Sequence, residues 1–132
     1  MRDKPDGAAL LELARAALVE ELLAELPESA RYGARMVANA MAIAGREASD
    51  GGRIQEAERN ALAALYEEAP AAAGGADAEQ LDEALTRLNW WLVAEIRAGR
   101  RDGDADVHTI LQDSARGRLR LVNPKALRGD DQ

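Results

Sequence analysis

The sequence predicts an all-α protein, a single-domain antiparallel bundle of about five helices. Three observations carry this. The apolar fraction is mostly Ala and Leu, the strongest helix formers, while β-branched residues are scarce. Apolar residues recur at three- and four-residue steps over long segments. Pro and Gly fall between those segments, and no stretch alternates strictly enough to read as a strand.

The first helix is predicted from about Asp6 to Leu26, where Pro27 closes it. Leu11, Ala14, Leu18, Leu22 and Leu26 form its inward stripe, and Pro5 sits where a first helical turn tolerates proline. The second runs from Glu28 to Ala48 and is expected to stop before Asp50-Gly51-Gly52. The third covers Arg53 to Glu68, with Ile54, Ala61, Leu62 and Leu65 inward. Pro70 to Ala76, all Ala and Gly after the proline, reads as a loop. Asp77 is the expected N-cap of the fourth helix. That helix ends near Ala98 with Gly99 after it, and its stripe is Leu81, Leu85, Leu88, Leu92 and Ile96. The fifth runs from Asp106 to Val122, ended by Asn123-Pro124. Residues 1–128 read as one helical domain and 129–132 as a disordered polar tail. Short connections between long helices favour antiparallel neighbours.

At 132 residues the chain can bury a core without staples. Aromatic residues are only 3%, so that core must be aliphatic. The absence of Cys removes disulfides, thiolate metal sites and cysteine nucleophiles. His108 stands alone, with no glutamate three residues before it, so the Glu-x-x-His pattern of di-metal bundles is missing. No glycine loop has phosphate-binding spacing, and no metal or other cofactor is expected. No apolar run approaches the length of a membrane span, and Met1 to Gly7 is polar, so the expected compartment is the cytoplasm. A net charge of −7 opposes nucleic-acid binding.

Several charged residues fall in unexpected places. On a wheel of about 100° per residue, Arg31, Arg35, Asn39 and Arg46 share one stripe of the second helix. Tyr32, Met36, Ala40 and Ile43 lie on the neighbouring, core-facing side. Such a row can hold a carboxylate or phosphate by forked hydrogen bonds, or be a solvated face with structural ion pairs. Glu47, Glu58 and Arg118 fall on apolar stripes, where a charge is costly unless paired. Glu47 or Glu58 is therefore expected to pair with Arg118 or Arg46. The two glutamates could also form an acid–base pair, but nothing beside them supplies a nucleophile or oxyanion hole, so no enzyme activity is expected.

Ser114 to Arg128 holds Arg116, Arg118, Arg120, Lys125 and Arg128 and no acid. Gln55 to Glu83 carries eight acids and only Arg59 as a base. These stretches can complement helix dipoles, face each other, or pair between copies as a homo-oligomer. Trp90 and Trp91 are adjacent, so both cannot face the core. Trp91 flanks the leucine stripe, and Trp90 falls opposite it as an exposed partner contact.

Four segments carry a resemblance. They are Arg2-Asp3-Lys4-Pro5 with Leu10-Leu11-Glu12, the stretch from Arg35 through Asn39 to Arg46-Glu47, Ile96-Arg97-Ala98-Gly99, and Leu121 to Lys125. Together they resemble a bacterial family of small helical proteins of unknown function, found alone or joined to kinases similar to aminoglycoside phosphotransferases, and encoded near acyl-CoA dehydrogenases. Trp90-Trp91 departs from that pattern, where small or basic residues would be expected. The resemblance supplies no catalytic residue. It implies an accessory module beside a partner protein, kinase-like or acyl-CoA dehydrogenase-like. The expected contacts, read from the residues themselves, are the exposed Trp90 and the basic Arg116, Arg120 and Lys125. The alternative is a binding domain for an anionic metabolite such as an acyl-CoA, held by Arg35, Asn39, Arg46 and Arg118.

Overall fold

The computed structural model of the chain describes residues 4–68 and 77–129. The predicted Pro70–Ala76 loop and residues 130–132 of the expected tail lie outside them. Among the described residues the protein is all-α: five helices and no strand. They are α1 (Gly7–Ala17), α2 (Glu28–Arg46), α3 (Gly52–Leu65), α4 (Ala78–Arg97) and α5 (Ala105–Val122). These group into two compact units, Met1–Gly51 and Gly52–Gln132.

In the first unit Asp6 caps α1, its carboxylate accepting the Ala9 N–H at 3.0 Å. Helical backbone continues through a π turn, Leu18–Leu22, and a 3₁₀ turn, Leu23–Glu25, until Pro27. Arg31 then satisfies the end of that segment by donating to the Leu26 and Ala24 carbonyls. The helices α1 and α2 meet along small residues. Gly45 lies against Ala8 and the Leu11 Cβ, and Ala38 is buried on the same side of α2. Small residues let two backbones approach closely, at the expense of apolar area.

That seam corrects the expected inward face of α2. Tyr32 is 74% exposed and Met36 51%, because they lie about 120–160° around the helix from Ala38. Along the segment predicted as the first helix, Leu11, Leu18 and Leu26 are half-buried as expected, while Ala14 and Leu22 are exposed. The predicted stop at Asp50-Gly51-Gly52 is not a loop. Glu47–Gly51 is a π turn, and α3 begins at Gly52. Glu47 itself is exposed, its carboxylate folded over the buried Gly51.

The second unit holds the core. Leu62, Ala63, Leu81, Leu85, Leu88, Leu92 and Val107 pack together, with Leu65, Tyr66 and Ile110 against them. The leucine stripe of α4 is inward as predicted, except that Ile96, one turn past the core, is 41% exposed. Asp77 caps α4 by accepting the Gln80 N–H at 2.9 Å. The end of α4 is a Schellman motif, with Gly99 at φ 71° and the Arg100 N–H on the Glu95 carbonyl. The end of α3 repeats that motif with Glu67 at φ 55°, without a glycine. Asp104 caps α5, which stops at Asn123 before the 3₁₀ segment Pro124–Gly129. Gly117 faces α3, and a Cβ there would sit 2.9 Å from the Ile54 Cγ2. The inward row of α5 is thus Val107, Ile110, Ser114, Gly117 and Leu121. Leu111 and Val122 are exposed, and Arg118, expected on an apolar stripe, lies about one residue's rotation outside that row.

Candidate functional site

Among the described residues, two grooves, one polar network and one apolar patch are candidates to carry function. The groove of the first unit, about 600 Å³, opens between the start of α1 and the end of α2. Arg15 and Arg46 line it, together with the acids Asp6, Glu12 and Asp50. The mixed charge suits no simple anion. Of the arginine row predicted to hold an anion, only Arg46 lines this groove. Arg35 and Asn39 are exposed outside it.

The groove of the second unit, about 380 Å³, lies between α3 and α5 over Ile54, Ala57 and Ala61. Glu58 sits in it with only 10% of its side chain exposed. It accepts a 2.8 Å hydrogen bond from the Ser114 hydroxyl and a 3.1 Å charged bond from Arg118. The two bonds explain how a carboxylate can occupy an apolar stripe. Arg118 reaches it from solvent, 68% exposed, so the pair lies at the rim and not in the core. Arg116 and Arg120 line the same groove, and Arg116 makes a loose 3.8 Å pair with Asp113. Lys125 is exposed on the 3₁₀ segment beyond. Glu47 and Glu58 belong to different units.

The network that sequence reasoning missed ties the end of α3 to α4 and to the turn after it. The Tyr66 hydroxyl donates to Glu95 Oε2 at 3.0 Å. Arg101 donates to the same oxygen at 2.7 Å and to Asp104 at 3.0 Å. Burial, then the bond to Glu95, pushes the Tyr66 hydroxyl above its ordinary pKa. Chiefly the Arg101 hydrogen bond holds the Glu95 carboxyl below its ordinary pKa. The Val107 N–H, followed by Arg101, does the same for Asp104. One turn back, Arg87 makes a forked pair with Glu68, at 2.8 and 3.1 Å, and stands 4.9 Å over the Trp91 ring. Trp91 meets Tyr66 edge to face, with centroids 5.3 Å apart. Partners 29 residues apart leave no periodic signal. The only sequence hint was Gly99, whose turn brings Arg101 back along α4.

Trp90 takes no part in this. It is 64% exposed on the side of α4 away from its leucines, and Val93 beside it is 37% exposed, so the two form a small apolar patch. Among the described residues no group of His, Cys, Asp and Glu could hold a metal ion, and no helix is long and apolar enough to cross a membrane.

The model of one protein family, the domain of unknown function DUF6285, matches residues 24–126. The comparisons with curated proteins and with solved structures give no match.

Proposed function

For this chain, which belongs to the DUF6285 family, we propose the role of a non-catalytic helical accessory module that binds a partner protein. The observation that supports it is Trp90, exposed on the side of α4 away from its packed leucine stripe, with the part-exposed Val93 beside it. An exposed Trp in an apolar patch is the side-chain type that anchors protein interfaces. The polar groups of the same unit are engaged with one another: Tyr66, Glu95, Arg101 and Asp104 in one network, Glu58, Ser114 and Arg118 in another. Side chains held this way fix helices in place. The groove arginines Arg116 and Arg120, with Lys125 beyond them, add a basic edge that favours an acidic partner surface.

The partner class is a phosphotransferase-like kinase or an acyl-CoA dehydrogenase-like enzyme, in a bacterial cytoplasm. The test is binding of the immobilised full chain to one purified enzyme of each class. One enzyme is expected to bind, and Trp90→Ala is expected to weaken it at least tenfold without lowering helicity. If neither binds at about 10 μM, or if Trp90→Ala binds as well as the parent, this reading is wrong. The second reading, an anionic metabolite such as an acyl-CoA, has the α1–α2 groove in its favour, because about 600 Å³ is enough for a small ligand and Arg46 lines it. Its test is calorimetric titration with an acyl-CoA, where loss of binding in Arg46→Ala would favour it over the first.

A further inference from the structure

We propose that the groove between α3 and α5 binds a small apolar monocarboxylate, its chain on the groove floor and its carboxylate on Arg116 and Arg120. The site belongs to the second unit. It rests neither on the partner contact of Trp90 nor on the α1–α2 groove.

The groove has room for such a molecule. Its volume of about 380 Å³ falls among small-molecule sites. The floor is apolar: Ile54, Ala57 and Ala61 come from α3 and Ile110 from α5. Gly117 lets the two helices meet along it, since a Cβ there would sit 2.9 Å from Ile54 Cγ2. An apolar chain laid on these residues leaves water without burying a polar group.

Charge selects the head group. Four charged residues line the groove: Glu58, Asp113, Arg116 and Arg120. Glu58 is already held by the Ser114 hydroxyl and by Arg118, a cation outside the lining. Its charge is thus cancelled in place. Asp113 is 69% exposed and meets Arg116 only at 3.8 Å. Arg120 has no ion-pair partner among the described residues. Two arginines against Asp113 leave one positive charge, which matches a carboxylate better than a dianionic phosphate.

The placing of the two arginines favours the same ligand. They stand one helical turn apart, where like charges repel one another. The helix dipole favours cations near the end of α5 but does not decide which side they occupy. Arg116 and Arg120 both turn to the groove, whereas Arg118 does not line it. An anion seated between them relieves the repulsion and accepts forked guanidinium donors.

An amide-resolved NMR titration of the full chain with sodium hexanoate tests this. Saturable shifts are expected at Ala57, Ala61, Gly117 and Arg120, with a Kd of about 1 mM. Acetate lacks the chain and 1-hexanol lacks the charge, so each should bind at least about tenfold more weakly. Arg120→Gln should weaken hexanoate at least about fivefold with helicity kept, because it removes a charged donor from the surface. Ala61→Leu fills the floor, leaves both arginines in place, and should weaken it as much. The proposal is overturned by the absence of saturable shifts at about 20 mM hexanoate, or by shifts centred on Ala8 and Gly45 of the other groove. Arg120→Gln binding as tightly as the parent overturns it too. So does 1-hexanol matching hexanoate, or hexyl phosphate binding more tightly than hexanoate.

Discussion

The α1–α2 unit and the α3–α5 unit use the same few residue types and bury very different amounts of them. In the second, Leu62, Leu88 and Leu92 lose at least 98% of their exposure. In the first, no described residue larger than Ala38 is buried. Three helices can surround a side chain, but two can only cover it from one side. A pair joined through Ala38 and Gly45 comes close at the expense of larger residues, and Leu10, Leu13 and Leu22 are left outside. Stability in this chain should therefore be concentrated in residues 52–129.

The most direct way to break that contrast is to shorten one leucine in each unit. Leu88→Ala removes a fully buried side chain and should cost about 2–5 kcal/mol. Leu10→Ala, at 54% exposure, should cost under about 1 kcal/mol in the monomer. Urea unfolding of both variants measures the difference. Equal losses would mean that the two units are equally packed.

A smaller effect is expected at the contact between α3 and α5. Gly117→Ala places a Cβ 2.9 Å from Ile54 Cγ2, a branched side chain close to its own backbone. One of the helices must move, at about 1–3 kcal/mol. The gain in helix propensity, about 1 kcal/mol, offsets part of it. Gly45→Ala is the matching change in the first unit. There the new methyl would meet the Leu11 Cβ at 3.8 Å, ordinary contact, so the propensity gain should prevail. Thermal melts of the two variants should shift in opposite directions.

Much of this was legible in the sequence wherever one signal acted alone. The stripe of α4, its Asp77 cap, its Gly99 stop and the Asn123-Pro124 end of α5 each followed from local chemistry. The sequence misled where two faces of one helix competed. On α2 the larger residues, Tyr32 and Met36, mark one face, but the alanine-glycine face is the one that admits α1. On α5 the eye follows Leu111 and Val122, while Gly117 sets the contact because nothing larger fits against Ile54. The pairing of Glu58 was foreseeable from its place on an apolar stripe, and Arg118 was among the residues expected to meet it. Ser114, which shares that carboxylate, carried no signal, since a lone serine on a helix is ordinary. Tyr66, Glu95 and Arg101 were unreadable for a different reason. Their meeting depends on two helix ends whose relative height no periodicity encodes.

That network sharpens the comparison by pH. Glu95 and Asp104 both have carboxyl pKa values depressed in the folded protein, chiefly by the Arg101 hydrogen bond and by the Val107 N–H respectively. Between the ordinary and the depressed values the unfolded chain holds more protons than the folded one, so stability rises with pH across that window. The stabilisation is complete above the ordinary carboxylate pKa and is lost as pH falls through the depressed values. Glu95→Gln keeps an acceptor for the Tyr66 hydroxyl but removes one titrating group. Its urea midpoint should therefore fall less steeply than the parent's between about pH 5 and pH 2. Tyr66 acts at the other end of the scale. Its pKa is raised by burial and by Glu95, so its neutral form is the one the fold favours, and stability should decline as pH rises past the ordinary tyrosine value. Tyr66→Phe should remove that alkaline decline and leave the acid limb of Asp104 in place. Parallel pH profiles for parent and both variants would show that the network titrates alike in the folded and unfolded chain. The hydrogen bonds around Glu95 would then contribute nothing to the firmness of the α3–α5 unit.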